Sequence, residues 1–209
     1  MYLYKTAYEY AEAEIVIEKS RFIARVMPIE SYEDGQTFVA AMKQEYKSAT
    51  HNVPAIVFGK KQEMQWASDD GEPSGTSGMP MLKMIADQGI TNIAVVVTRY
   101  FGGIKLGTGG LSRAYTAALK AGLEASGICG VSECTSFTIQ MDYSFLAVIQ
   151  NAEKNGMFTI KDVEYTESIK LNLVCLSENS DEVLGIIMNL THGQMSVIQQ
   201  NQSLEKFKI

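Results

Sequence analysis

Histidine, cysteine, proline and tryptophan are all scarce in this chain, at two, three, four and one among 209 residues. Each scarcity removes a class of chemistry. His51 and His192 lie far apart, and Cys129, Cys134 and Cys175 form no CxxC pair, so the spacing of a zinc site is missing. Three thiols cannot all pair with one another, and reduced cysteines in the cytosol are the economical expectation. No apolar run approaches the roughly 20 residues that span a bilayer, so no membrane association is expected. The N-terminal residues lack the charged start and apolar core of a secretory signal. No positive excess exists either: the formal charge is −6. Residues 1–131 hold 13 Lys and Arg against 14 Asp and Glu, and residues 132–209 hold 5 against 10. A duplex-binding protein usually shows a basic footprint, so any nucleic-acid contact has to come from a local patch in the first part.

Glycine, by contrast, is concentrated. Eight of the 17 fall at 71, 75, 78, 102, 103, 107, 109 and 110. They sit in two polar loops on either side of the apolar run 93–97. The first reads Ser68-Asp69-Asp70-Gly71-Glu72-Pro73-Ser74-Gly75-Thr76-Ser77-Gly78. The second runs Thr98-Arg99-Tyr100-Phe101-Gly102-Gly103, then Lys105-Leu106-Gly107-Thr108-Gly109-Gly110-Leu111-Ser112-Arg113.

Hydrophobic periodicity predicts strands at 13–17 and 21–26, and a helix from Ser31 to Lys47 with Asp34 closing an acidic capping arrangement. A strand pair follows at 54–58 and 63–67, with Trp66 in the core, then a short helix from Pro80 to Asp87. The β-branched run 93–97 reads as a strand buried on both faces. A helix is expected from Leu111 to Ala125, ending at Gly127. A domain boundary is expected near 130–135. Beyond it the pattern is strand 135–141, helix 143–154, strands 157–165 and 168–176, helix 180–191 and strand 195–207. Asp142 is the expected N-cap of the first of these helices, and Asn179 with Glu182 a capping pair for the second. This βαββαβ order is the split βαβ, ferredoxin-like arrangement.

As chemistry, the loops admit alternatives. Residues 71–78 lack the lysine of a phosphate loop, and serine at 112 breaks the dinucleotide fingerprint. Gly107, Thr108, Gly109 and Gly110 immediately precede a helix, which would aim free N–H groups at an anion such as phosphate or carboxylate, with Lys105 and Arg113 adding cationic reach. The same glycines could instead serve close helix–sheet packing. Asp69, Asp70 and Glu72 read either as an acid–base or metal cluster or as a helix-capping turn. Arg99 and Tyr100 suit a phosphate or a stacked base, or Arg99 pairs internally with one of the three acids while Tyr100 packs in the core. Ser74, Thr76, Ser77 and Ser112 would need His51 as a base to act as nucleophiles, and a structural role for His51 is the competing reading. No cofactor or metal is expected.

Lys19-Ser20-Arg21-Phe22-Ile23-Ala24, the segment Asp69 to Gly78, and Val96-Val97-Thr98-Arg99-Tyr100-Phe101-Gly102-Gly103 through Arg113-Ala114-Tyr115 together resemble the Impact family, specifically its bacterial YigZ branch. The resemblance covers essentially the whole chain. It implies an α+β protein of two domains. Residues 1–131 would form an Impact N-terminal-type α/β sandwich with the fold of a ribosomal-protein domain and of domain IV of elongation factor G. Residues 135–207 would form a ferredoxin-like domain similar to the last domain of that factor. Eukaryotic relatives regulate translation, with the help of an additional N-terminal domain that is not expected in this chain. The expected role is therefore a cytosolic, non-enzymatic protein contacting the ribosome, RNA or a translation-associated protein through Arg21 and the two glycine loops. The alternative is an enzyme or small-ligand binder using the same loops as a phosphate pocket.

Overall fold

The computed structural model describes residues 2–209 and is a mixed α/β structure with two sheets and five α-helices. Contacts divide it into two compact units: the chain up to Val131 together with Lys206–Ile209, and Ser132–Glu205.

The first unit contains strands β1 (Tyr4–Ala7), β2 (Ala11–Ile17), β3 (Ser20–Pro28), β4 (His51–Phe58), β5 (Met64–Ala67) and β6 (Ile93–Tyr100). Helices α1 (Tyr32–Glu45), α2 (Gly78–Asp87) and α3 (Gly107–Ser126) complete it. Five of the strands form an antiparallel sheet in the order β2-β3-β6-β4-β5. Alternation along the strands splits their side chains between two cores. Phe22, Ala24, Val26, Val53, Ala55, Val95 and Val97 meet Met81 and Ile85 of α2 and Leu111, Tyr115 and Leu119 of α3. Ile56, Ala94 and Val96 pack beneath Val39 of α1. β6 is central and covered on both faces, which is why its run needs no polar residue.

Ser31 caps α1 as expected. Its hydroxyl accepts from Asp34 N at 3.0 Å, and the Asp34 carboxylate accepts from Ser31 N at 2.8 Å. Other expectations need correction. Trp66 is not core: β5 is an edge strand, and Trp66 is 40% exposed. α2 begins at Gly78, two residues before Pro80. α3 begins at Gly107, so the second glycine cluster forms its first turn and does not precede it. β1, which the pattern did not reveal, pairs with residues 128–131 of β7 (Ile128–Met141).

In the second unit, β7 continues into a 3-10 turn, Tyr143–Phe145, capped by Asp142, whose carboxylate accepts from Ser144 N at 2.9 Å. There follow α4 (Leu146–Glu153), β8 (Phe158–Tyr165), β9 (Ile169–Leu176), α5 (Ser180–Leu190) and β10 (Met195–Lys208). Its strands pair in the order β10-β7-β9-β8, in a five-stranded sheet that β1 joins through β7, and the core joins Phe137, Ile139, Leu171 and Leu173 to Ile149, Val183 and Ile187 of the helices. Asn179 makes no side-chain cap for α5; a 3-10 turn, Ser177–Asn179, leads into the helix instead.

Candidate functional site

Sheet register determines which of the signalled residues can meet. Phe22, Arg99 and His51 lie directly opposite one another across β3, β6 and β4, on the face covered by α3. Arg21 and Tyr100 are the neighbouring pair and therefore point to the other face. There the Arg21 guanidinium lies 5.5 Å from the Tyr100 ring centre and pairs with Glu14 at 2.8 Å, in an exposed position. Tyr100 is half-buried at the strand end and belongs to neither core cluster.

The three acids of the first loop all bond internally. Asp69 organises the loop itself. Its Oδ1 accepts from Ser77 N (3.1 Å), Ser77 Oγ (2.7 Å) and Gly78 N (2.9 Å), and its Oδ2 from Gly75 N (2.7 Å). Burial alone would raise its pKa, but the Ser77 hydroxyl and the three backbone donors together hold it below the ordinary aspartate value. Asp70 accepts from Lys43 Nζ at 2.5 Å and Asn52 N at 2.6 Å, while its carbonyl oxygen lies 2.8 Å from His51 Nδ1. Glu72 is buried against the strand end. Its Oε1 accepts from Arg99 Nη1 at 2.6 Å and from Tyr115 Oη at 2.8 Å, and its Oε2 lies 3.8 Å from His51 Nε2. Burial, then the nearby Glu72 charge and the bond to it, push the Tyr115 phenol far above its ordinary value. Thr76 closes the loop by donating to Pro73 O, which leaves Ser74 exposed on the outside. Gly78 is required for close approach, since a Cβ there would lie 2.6 Å from the Ser68 carbonyl oxygen.

Arg99 is therefore a structural cation. It is 5% exposed, its guanidinium sits 5.5 and 5.4 Å from the ring centres of Phe22 and Phe101, and Nε is the one buried side-chain polar atom without a partner among the described residues. Of the readings open for Arg99, the internal pair is present, with Glu72 as its acid, but Tyr100 does not join the core as that reading had it. Tyr115 and Lys43 were not singled out in the sequence, because each reaches the loop from a helix distant along the chain. Nor was Arg25, which is 2% exposed beneath α1. It donates to Thr98 Oγ1 at 2.9 Å, pairs with Glu12 at 3.1 Å, and lies 3.5 Å from the Tyr46 ring centre. Its only signal was an arginine inside an alternating strand.

The second loop is pinned at its start and open beyond. Phe101 N donates to Thr50 Oγ1 and Gly102 N to Ser20 Oγ. A Cβ on Gly102 would fall 2.0 Å from the Lys19 carbonyl carbon, so only glycine fits against that hairpin. Phe101, Gly103, Ile104 and Lys105 are exposed. At the start of α3, Gly107, Thr108 and Gly109 face solvent, Leu106 supplies no side-chain cap, and the first turn holds no acid. A groove of about 500 Å³ is lined by Ile17, Glu18, Leu106, Gly110 and Ala114 together with the cations Lys105 and Arg113. Among the described residues neither cation has a carboxylate within 4 Å. Also among the described residues, no three His, Cys, Asp or Glu side chains converge as metal ligands, and no helix is long and apolar enough to cross a membrane.

Residues 18–123, which hold both loops, match the Impact N-terminal domain. The IMPACT family member YvyE of Bacillus subtilis is 36% identical over 94% of this chain and 91% of its own length. A family member from Haemophilus influenzae is 43% identical over 88% of this chain and 89% of its own length. YigZ of Escherichia coli is 38% identical over 64% of this chain and 67% of its own length. The crystal structure of a hypothetical protein superposes with a TM-score of 0.59 at 28% identity, covering 93% of this chain and 95% of that one. A match across the segment that builds the site, joined to near full-length relatives, places this chain in the IMPACT family.

Proposed function

We propose that this chain is a cytosolic, non-enzymatic regulator associated with translation, which contacts RNA, the ribosome or a ribosome-associated protein through the outer surface of its glycine loops. The observation that carries this reading is the division of labour among the loop charges. Asp69, Asp70 and Glu72 are consumed in holding the loops, whereas among the described residues Lys105 and Arg113 have no carboxylate within 4 Å and share a groove with exposed Ile104 at an uncapped helix start, and Phe101 is exposed earlier in the same loop. Unpaired cations and backbone N–H groups suit phosphates, and an exposed aromatic ring suits a base. Catalysis draws no comparable support. His51 is engaged with Asp70 O and faces Glu72, and among the described residues no serine hydroxyl bonds to it.

The strand–helix order of the second unit is compatible with the ferredoxin-like domain that the family resemblance implies. The first unit, by the same resemblance, is read as the ribosomal-protein-like partner in an elongation-factor-like pair. Ribosome co-sedimentation tests the proposal. The intact chain is expected in the ribosomal fraction, and Lys105→Ala/Arg113→Ala is expected to leave it without loss of melting temperature. Absence of the intact chain from that fraction at low salt refutes the reading.

The groove supports a second reading, a pocket for a small phosphorylated ligand, because it combines apolar walls with two unpaired cations. A thermal-shift panel of nucleotides and phosphorylated metabolites separates the two. A ligand at 100 times its Kd stabilises by about 2.7 kcal/mol, and a flat response across the panel removes this alternative.

A further inference from the structure

The two edges of the second unit's sheet are built differently. β8 pairs only with β9, and its outer edge carries the devices that block strand addition: a register shift between Ile160 and Asp162, and the charges of Lys161, Asp162 and Glu164. Among the described residues β10 pairs only with β7, and residues 195–204 contain no charge, no proline and no glycine. Beyond Met195, which packs against the core, its apolar side chains are uncovered on both faces: the successive residues Val197 and Ile198 are 42% and 50% exposed, and Leu204 is 50% exposed. A long edge that carries charge only at its end, at Glu205, Lys206 and Lys208, offers a row of N–H and C=O groups to another strand, and the exposed side chains offer apolar area on either side of it.

Charge decides the occupant. Ser132–Glu205 holds three lysines and no arginine against ten carboxylates. A second copy would bring the same excess of negative charge to the interface, whereas a basic chain is attracted, and its encounter accelerated, by that field. We propose that the outer edge of β10 is a docking site for a basic, extended segment of a partner polypeptide, which joins the sheet as an added strand. The main-chain ladder of β10 supplies the pairing, Val197, Ile198 and Leu204 supply apolar contact, and the acidic body of the unit selects for lysine and arginine on the incoming segment. This site is independent of the glycine-loop face.

Two short synthetic peptides with the same alternating Thr-Val centre, one flanked by lysines and the other by glutamates, test it by fluorescence anisotropy against the full chain. The lysine-flanked peptide is expected to bind, more weakly as salt rises, and the glutamate-flanked peptide to bind about tenfold less tightly or worse. Ile198→Lys/Gln200→Lys places two like charges on one face of an exposed strand and is expected to weaken the lysine-flanked peptide about tenfold, with melting unchanged. Ile198→Pro and Gln199→Pro are made separately, because successive N–H groups point to opposite edges. The variant whose lost N–H faces outward abolishes binding and keeps the native melt. Equal affinity for the two peptides, retention of binding in both proline variants, or a dimer in solution that either proline dissolves overturns the proposal.

Discussion

Glu72→Gln removes one negative charge from a place where almost nothing else can replace it. Arg99 is 5% exposed, and among the described residues its only carboxylate partner is Glu72, 2.6 Å away. The amide oxygen of glutamine can still accept from Arg99 and from Tyr115, so the hydrogen-bond geometry survives and the loss is the compensation of a buried guanidinium. Removing one partner of a buried pair costs about 3–5 kcal/mol. Retention of both acceptor contacts puts this substitution at the lower end, about 3 kcal/mol. At about 4 °C per kcal/mol for a unit of this size, the melting transition should fall by about 12 °C. Calorimetry or a circular-dichroism melt measures it. Glu14→Gln, which breaks the exposed Arg21 pair, serves as the control and should leave the transition in place. The double variant Glu72→Gln/Arg99→Met should recover much of the loss, because the uncompensated charge is gone. A Glu72→Gln protein that melts within a degree or two of the parent would falsify the account of Glu72 as the keystone of the loop.

Asp69 predicts acid sensitivity of the same loop. Its folded-state pKa lies below the ordinary 3.8, so its contribution to stability is present above that value and is lost as pH falls through the depressed folded value. Asp69→Asn should therefore be less stable at neutral pH and show a flatter decline in stability below about pH 4, read from urea midpoints across pH; an unchanged slope argues against the four-bond description. Two glycines of α3 should respond oppositely to alanine. At Gly109 the added Cβ meets only the flexible end of Arg113 at 3.5 Å, and the helix gains about 0.5 kcal/mol. At Gly122 it would lie 2.9 Å from the buried Ala24 Cβ and Val26 Cγ2, so overpacking of about 1–3 kcal/mol outweighs a propensity gain of about 1 kcal/mol. Chemical denaturation of both variants checks the sign.

Much of this architecture was legible along the chain because it depends on local chemistry. The Ser31–Asp34 capping box, the Asp142 cap and the two-sided burial of β6 follow from residues within a few positions of one another. What misled was equally local. The glycines at 107–110 read as a loop because glycine weakens helices, yet they form the first turn of a long helix whose later turns are packed against β2 and β3. Trp66 read as core, and the strand order left it at an edge. β1 carried too few residues to show a period, and its pairing lies more than a hundred positions away.

By itself, the amino-acid sequence determined the two glycine loops, the strand between them and the family, because each is a matter of which residues stand in what order. It also left an anion site, an internal ion pair and a catalytic cluster open as alternative readings of the same residues. Only the tertiary structure supplied the internal ion pair, because that pairing depends on side-chain direction and register. One residue's difference along β3 and β6 sends Arg21 and Tyr100 to one face and Phe22 and Arg99 to the other. The fold of the first loop then delivers Glu72 to Arg99 and Tyr115, which turns the most conspicuous charges into scaffold, while Lys105 and Arg113 of the second glycine segment stay exposed.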